Sequence, residues 1–397
     1  MRAVTTARTA DVPATVRLVL SGVVANVAAG TLFAWSLVAQ DVAAGVGISR
    51  GTAATVFATA IVVFTATLLG VGPAQRWCGP RRLLYVAAGV GGAGLLLAAT
   101  ATAPLALWAG VALLFGTANG LGYGVAIGLT ARVPEHRGAV TGLVVTAYAA
   151  GPVLLGLVAP PALRAFGWRP CLACLALLVT ALLAVAARLA PVEGAPPRAR
   201  GAAVGCIPRR PVALLWLVFA GGAAPALALF AHAVPVARDR GLSAPAAGLA
   251  VTALATGNLI GRLVAGWASD RTGRLPALAA ALATAAVSIV GLAGPTSPLI
   301  VLAGFLGTGL GYGAVSSLVP AATADQVGAG AFPTAYGRIF TGWGCAGLLA
   351  PVAGEFVLRL QDGHPAFLGL AVAPLIPAAA ALLLLIERGS RAAGTRP

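Results

Sequence analysis

Twelve runs of about 20 mostly apolar residues, separated by short loops, leave this chain few choices of fold. They occupy residues 16–38, 51–71, 83–102, 104–130, 138–159, 170–189, 212–234, 246–268, 275–293, 298–323, 335–358 and 365–386. Each is long enough to cross a hydrocarbon core roughly 30 Å thick as a helix. Inside a bilayer every backbone N–H and C=O must find a partner within the protein, which admits only helices and closed barrels. Runs this long and this continuously apolar are helices. The expected fold is therefore an all-α membrane protein with twelve transmembrane helices in two six-helix, pseudo-symmetric halves. The stretch between the sixth and seventh runs, PVEGAPPRARGAAVGCIPRRP, is too polar to span. It divides the chain into an N-terminal half (1–190), a central cytoplasmic linker (191–211) and a C-terminal half with a cytoplasmic tail (212–397).

Composition agrees, with 59% hydrophobic and 9% charged residues against roughly 25% charged in soluble domains. The net charge of +16 forms no stripe suited to nucleic acid, because the basic residues sit in short loops between apolar runs. All 26 are arginine. With both termini cytoplasmic, 19 fall on the cytoplasmic side, six fall outside, and Arg262 lies within a span. That bias places a multi-pass protein in the cytoplasmic membrane with both ends inside. The basic N-terminus leads into a first span without a trusted cleavage pattern, so it does not read as a signal peptide. Cys171, Cys174 and Cys345 lie in apolar helices and read as free packing thiols. His136, His232 and His364 are scattered, so no metal site or cofactor is expected and no enzyme chemistry is assigned.

The halves repeat. Gly120–Gly124 and Gly309–Gly313 both read GLGYG, 189 positions apart, and the loop from Gly72 aligns loosely with that from Gly266 at an offset of 194. Two six-helix units in parallel repeat suit a transporter whose site lies near the midplane between them.

The element G-x-x-x-D-R-x-G-R formed by Gly266, Asp270, Arg271, Gly273 and Arg274 resembles the loop signature of the major facilitator superfamily. The second half further resembles the oxalate/formate antiporter and monocarboxylate transporter group. The residues that carry this likeness are His232 with Pro235, the GLS at 241–243, the N-x-x-G-R ending at Arg262, the second GLGYG, and YGRIFTGWGCAGLLAPVAG from Tyr336. Two positions depart from the pattern. Arg76 stands where the first-half signature carries its aspartate, and Phe340-Thr341-Gly342-Trp343-Gly344 lacks the lysine that oxalate carriers place there.

Arg262 is the focus. A cation inside an apolar span costs about 2.5–3.5 kcal/mol on insertion scales and marks a functional site by default. It lies eight residues before Asp270, about 12 Å along the helix and so near the membrane centre. Asn258, four residues earlier, shares its face. A guanidinium suits a carboxylate, and with no lysine one cation balances one charge. The expected cargo is a small organic anion, a monocarboxylate. The resemblance adds Tyr123 and Tyr312 as hydroxyl donors to it. Phe340, Trp343, Tyr148 and Phe33 are expected as wall. Asp270, Arg271, Arg274 and Arg137 form the expected cytoplasmic gate, with Arg137 as the partner of Asp270. His232 is the proton-relay candidate. Transport would run by alternating access as proton symport or anion exchange; a carrier of another small molecule such as a drug efflux pump, or a non-transporting sensor, are the alternatives.

Overall fold

The computed structural model describes residues 12–133, 135–192, 207–293, 297–358, 369 and 372–394. Most of the expected linker, together with His364, lies outside them. Among the described residues nine helices are long and apolar enough to cross a membrane. Two of these, Thr55–Ala99 and Pro298–Gly354, are 45 and 57 residues long, enough for two passes each. With the helix Leu375–Gly394 closing the chain, the arrangement is that of a twelve-span helical membrane protein.

The second and third spans form one helical element, Arg50–Ala99, broken at Gly79 (φ 73°, ψ 162°). The tenth and eleventh likewise run through Pro298–Leu358 with a break at Gly328 (φ 71°, ψ 166°). The loops expected at 72–82 and 324–334 are thus mostly helical. One residue reverses the chain in each, because glycine enters the positive-φ region without a Cβ clash. Gly273, between the eighth span (Ala244–Thr272) and the ninth (Arg274–Ala293), has φ 90° and ψ 156°. It lies 194 positions after Gly79 and shares its backbone conformation, so the loosely aligned loops are structural counterparts. The first span, Val12–Gly30, continues through a 3₁₀ turn at Thr31–Ala34 into Trp35–Val46.

Small residues set the helix approach. The fourth span, Pro104–Thr130, places Gly120 against Phe64 and Thr67 of the second. In the tenth, Gly309 and Gly313 lie against the backbone of Leu254 and Asn258 in the eighth. A Cβ at any of these would meet atoms closer than side chains tolerate. The repeated GLGYG is therefore a contact motif bringing the fourth span onto the second and the tenth onto the eighth. Without a hydrophobic driving force in lipid, such backbone approach is what holds helices together.

Spans of the first and second halves meet along two seams. The fifth span, Arg137–Phe166, packs on the eighth. Gly138 and Gly142 face the backbone of Gly266 and Arg262, each pair four residues apart. On the other seam Gly72 of the second span lies against Thr334, and Gly337 against the carbonyl of Leu68.

Candidate functional site

Arg262 is buried, with 8% of its surface exposed. Its Nε donates to Asn258 Oδ1 at 3.0 Å, one helical turn earlier, which fixes the direction of the guanidinium. Its Nη1 donates to the backbone carbonyl of Val145 on the fifth span at 2.8 Å. Gly142 makes that reach possible: the seam closes to backbone distance one turn from Val145. Among the described residues Arg262 meets no carboxylate. A guanidinium carries five N–H donors and no acceptor, so the second hydrogen of Nη1 and both of Nη2 remain.

Beside it lies a cavity of about 30 Å³ lined by Phe64, Tyr123, Val145, Tyr148, Phe219, Arg262, Tyr312, Ser316, Phe340 and Trp343. Tyr123, Tyr312, Phe340 and Trp343, expected from sequence, thus come together with Arg262, although they belong to the fourth, tenth and eleventh spans. This volume accommodates a water or two. An acid of several heavy atoms enters only if the wall moves.

Tyr123 and Tyr312 already have partners. The hydroxyls of Tyr123 and Tyr336 are 3.1 Å apart, and Trp343 Nε1 donates to Tyr312 Oη at 2.8 Å. Tyr148, expected as apolar wall, instead brings a buried hydroxyl that has no hydrogen-bond partner. A buried orphan of this kind costs about 1–3 kcal/mol until a water or a ligand meets it. Phe33 is not in the cavity lining; its ring packs edge-on against Phe57 and Tyr148 at 5.6 and 5.7 Å.

Sequence reading missed Val145, Ser316, Phe64 and Phe219 as lining residues, and Tyr336 as a partner of Tyr123. Two had a signal. Phe64 precedes Asn258 by the loop offset of 194, and Tyr336, Phe340 and Trp343 share one helix face by their spacing of four and three. A backbone carbonyl such as that of Val145 has no sequence signal.

The signature residues divide. Asp270 accepts from the backbone N–H groups of Gly138 and Ala139, both at 2.9 Å, in the first turn of the fifth span. That helix has no side-chain cap of its own: its N-cap residue, His136, sits at φ 49° and makes no cap bond. Free amides and the positive end of the helix dipole both favour a carboxylate there, and the eighth span supplies it. Arg274 Nη1 holds the same carboxylate at 2.6 Å. Arg137 does not pair with Asp270 as expected; its Nη1 meets Asp325 at 2.8 Å, and Arg274 Nε reaches Asp325 at 3.1 Å. The backbone amides take the place on Asp270 that Arg137 was expected to fill. Asp325, at the end of the tenth span, was missed. Arg271 stacks over the Trp267 ring at 3.8 Å. His232 is buried at a break in the seventh span, Arg209–Asp239, with φ −122°. It does not line the Arg262 cavity.

The sequence profile of the Major Facilitator Superfamily matches residues 223–397. Human monocarboxylate transporter 11 is 31% identical over 354 residues, covering 84% of this chain and 74% of the relative. The mouse protein of the same name is 30% identical over 355 residues, covering 84% and 78%. Among solved structures, the superfamily transporter FucP in the outward conformation superposes with a TM-score of 0.72 at 14% identity, over 94% of this chain and 99% of that one. A bacterial homologue of the iron transporter ferroportin gives 0.70 at 14%, again over 94% and 99%. At these identities the structural likeness speaks for the fold alone.

Proposed function

Because the chain belongs to the major facilitator superfamily and is a multi-pass membrane transporter, we propose that it carries a small monocarboxylate by alternating access, as a proton symporter or an anion exchanger. The observation that carries this reading is Arg262, a buried guanidinium with donors to spare and no carboxylate among the described residues. Similarity to monocarboxylate transporter 11 supports the same class.

The acid's two oxygens take the free edge of Arg262, and Tyr148, the unpartnered hydroxyl beside it, donates a further hydrogen bond. Tyr312 keeps its own hydroxyl hydrogen while accepting from Trp343, so it can donate as well. In a site this buried a second negative charge finds no second cation among the described lining residues, which disfavours dicarboxylates. The chain sits in the cytoplasmic membrane with both termini inside, and residues 1–190 and 212–397 rock about the site. Asp270 closes the cytoplasmic side by capping the fifth span. Its release accompanies opening there.

Uptake of labelled monocarboxylates into proteoliposomes, with and without a pH gradient, tests this on the wild type and Arg262→Ala. Uptake that depends on Arg262 and is inhibited by monocarboxylates supports the reading. Uptake in which oxalate clearly outcompetes monocarboxylates rejects it.

A further inference from the structure

The cavity has two unlike sides. On one, Arg262, Tyr148 and Tyr312 present hydrogen-bond donors. On the other, Phe64, Phe219, Phe340 and Trp343 present carbon: the indole N–H of Trp343 is already engaged by Tyr312. At about 30 Å³ the space must grow before any acid fits, and the two sides differ in how they can yield. The donor side is tied by Arg262 to the Val145 carbonyl across the seam and by Trp343 to Tyr312 between the eleventh and tenth spans. The phenylalanines are buried but carry no polar atom, so they can shift without breaking a hydrogen bond. Room therefore opens among the rings.

Phe340 is the hub of that side. Its ring lies 5.3 Å from Phe64, 5.3 Å from Tyr123, 5.8 Å from Phe219, 5.8 Å from Tyr336 and 5.0 Å from Trp343. Phe64 meets Phe340 and Trp343 edge-on, at 84° and 85°. Edge-to-face geometry is the arrangement aromatic pairs prefer, and it adds attraction beyond the area buried.

Resting on the monocarboxylate reading above, we propose that the cargo is an aryl monocarboxylate, whose ring takes over the contacts of Phe340 with Phe64 and Trp343 while its carboxylate meets Arg262 and Tyr148. A short hydroxy- or keto-acid satisfies the donors but leaves the ring side collapsed on itself. An aryl acid of phenylacetate size uses both.

The test is competition against labelled phenylacetate in proteoliposomes holding the full-length chain, with lactate, pyruvate, propionate, cyclohexylacetate and phenylacetate as competitors. Phenylacetate should compete at a concentration about 10-fold or more below lactate, and about 2–10-fold below cyclohexylacetate, the range expected of an added aromatic pair. Phe64→Leu, which removes one ring the aryl group would meet, should lower phenylacetate uptake by a larger factor than propionate uptake, and equal loss of both overturns the assignment. Lactate or pyruvate competing better than phenylacetate, still through Arg262, overturns the aryl assignment and leaves the monocarboxylate carrier standing. Equal competition by cyclohexylacetate overturns it too. If neither labelled phenylacetate nor labelled propionate is taken up in an Arg262-dependent way, the parent reading fails and takes this one with it; Arg262-dependent uptake of propionate but not of phenylacetate overturns the aryl assignment alone.

Discussion

The two seams between the halves are built alike and equipped differently. On one, Gly142 of the fifth span meets the carbonyl of Arg262; on the other, Gly337 of the eleventh meets the carbonyl of Leu68, and in both a Cβ on the glycine would sit 2.6 Å from that oxygen. Leu68 and Arg262 are 194 positions apart, as are Phe64 and Asn258, Gly72 and Gly266, and Arg76 and Asp270. One backbone geometry therefore carries two sets of side chains. The eighth-span copy has the guanidinium, its amide brace and the capping aspartate. The second-span copy has a leucine, a phenylalanine and an exposed arginine at the same places. Helix ends explain part of the difference. The fifth span begins at Arg137, so Gly138 and Ala139 offer free amides to Asp270. The eleventh restarts after Gly328, which puts Thr334 beyond the first turn, where the N–H groups already have partners. The repeat keeps how the helices touch, and among the described residues the buried guanidinium belongs to one seam only.

The largest effect expected of breaking this contrast comes from Arg262→Leu, which gives the charged seam the side chain of the other. Acid uptake should fall about 100-fold, in line with the 2–5 kcal/mol lost when one partner of a buried charged contact is removed. Arg262→Lys should recover only part of it in the same uptake assay, because an ammonium lacks the flat two-pronged donor edge.

Next comes Asp270→Asn, which keeps the shape and removes the charge that caps the fifth span and holds Arg274. Charged hydrogen bonds contribute about 1.5–3 kcal/mol each, so closure at this end should weaken about 10-fold or more. The readout is thiol labelling of a cysteine introduced in the seam.

Gly142→Val and Gly337→Val probe what the seams share. Each overpacks a backbone contact at about 1–3 kcal/mol and should lower detergent-solubilised thermal stability to a similar degree. Only Gly142→Val should in addition depress uptake in the fraction that stays folded, by moving Val145 away from Arg262. Equal loss of uptake in both would erase the proposed asymmetry.

Arg137→Ala should be milder. Asp325 is 40% exposed and keeps Arg274, and exposed pairs contribute about 0–1 kcal/mol, so the labelling rate should change less than about 5-fold. The smallest effect is expected from Arg76→Asp. It restores a carboxylate where the eleventh span has no free amide to offer, and labelling should stay within about 2-fold of wild type. A strong closing effect there would show that the second seam can be clamped after all.

Much of this was legible in the chain. Apolar runs of spanning length give helices wherever they occur, since a bilayer supplies no other partner for the backbone. A lone arginine within one of them is conspicuous against its surroundings, and Asn258 follows from helical spacing. The cavity tyrosines on the fourth and tenth spans could be singled out because the GLGYG motif repeats. Arg137 was readable as a charge at the start of the fifth span, but its partner was not. Whether it meets Asp270 or Asp325 depends on which helix end lies nearer in space. Tyr148 reads as wall by composition. Its unpartnered hydroxyl became visible only once the neighbouring groups were located and shown to be bonded elsewhere.

The sequence by itself determined the number of helices and the charge available to a site, because each depends on residues near one another along the chain. Tertiary structure decided which carbonyl holds Arg262, which amides hold Asp270 and which hydroxyl is left over. Those outcomes turn on differences of an ångström in how closely two helices approach, and such distances are set jointly by residues more than a hundred positions apart.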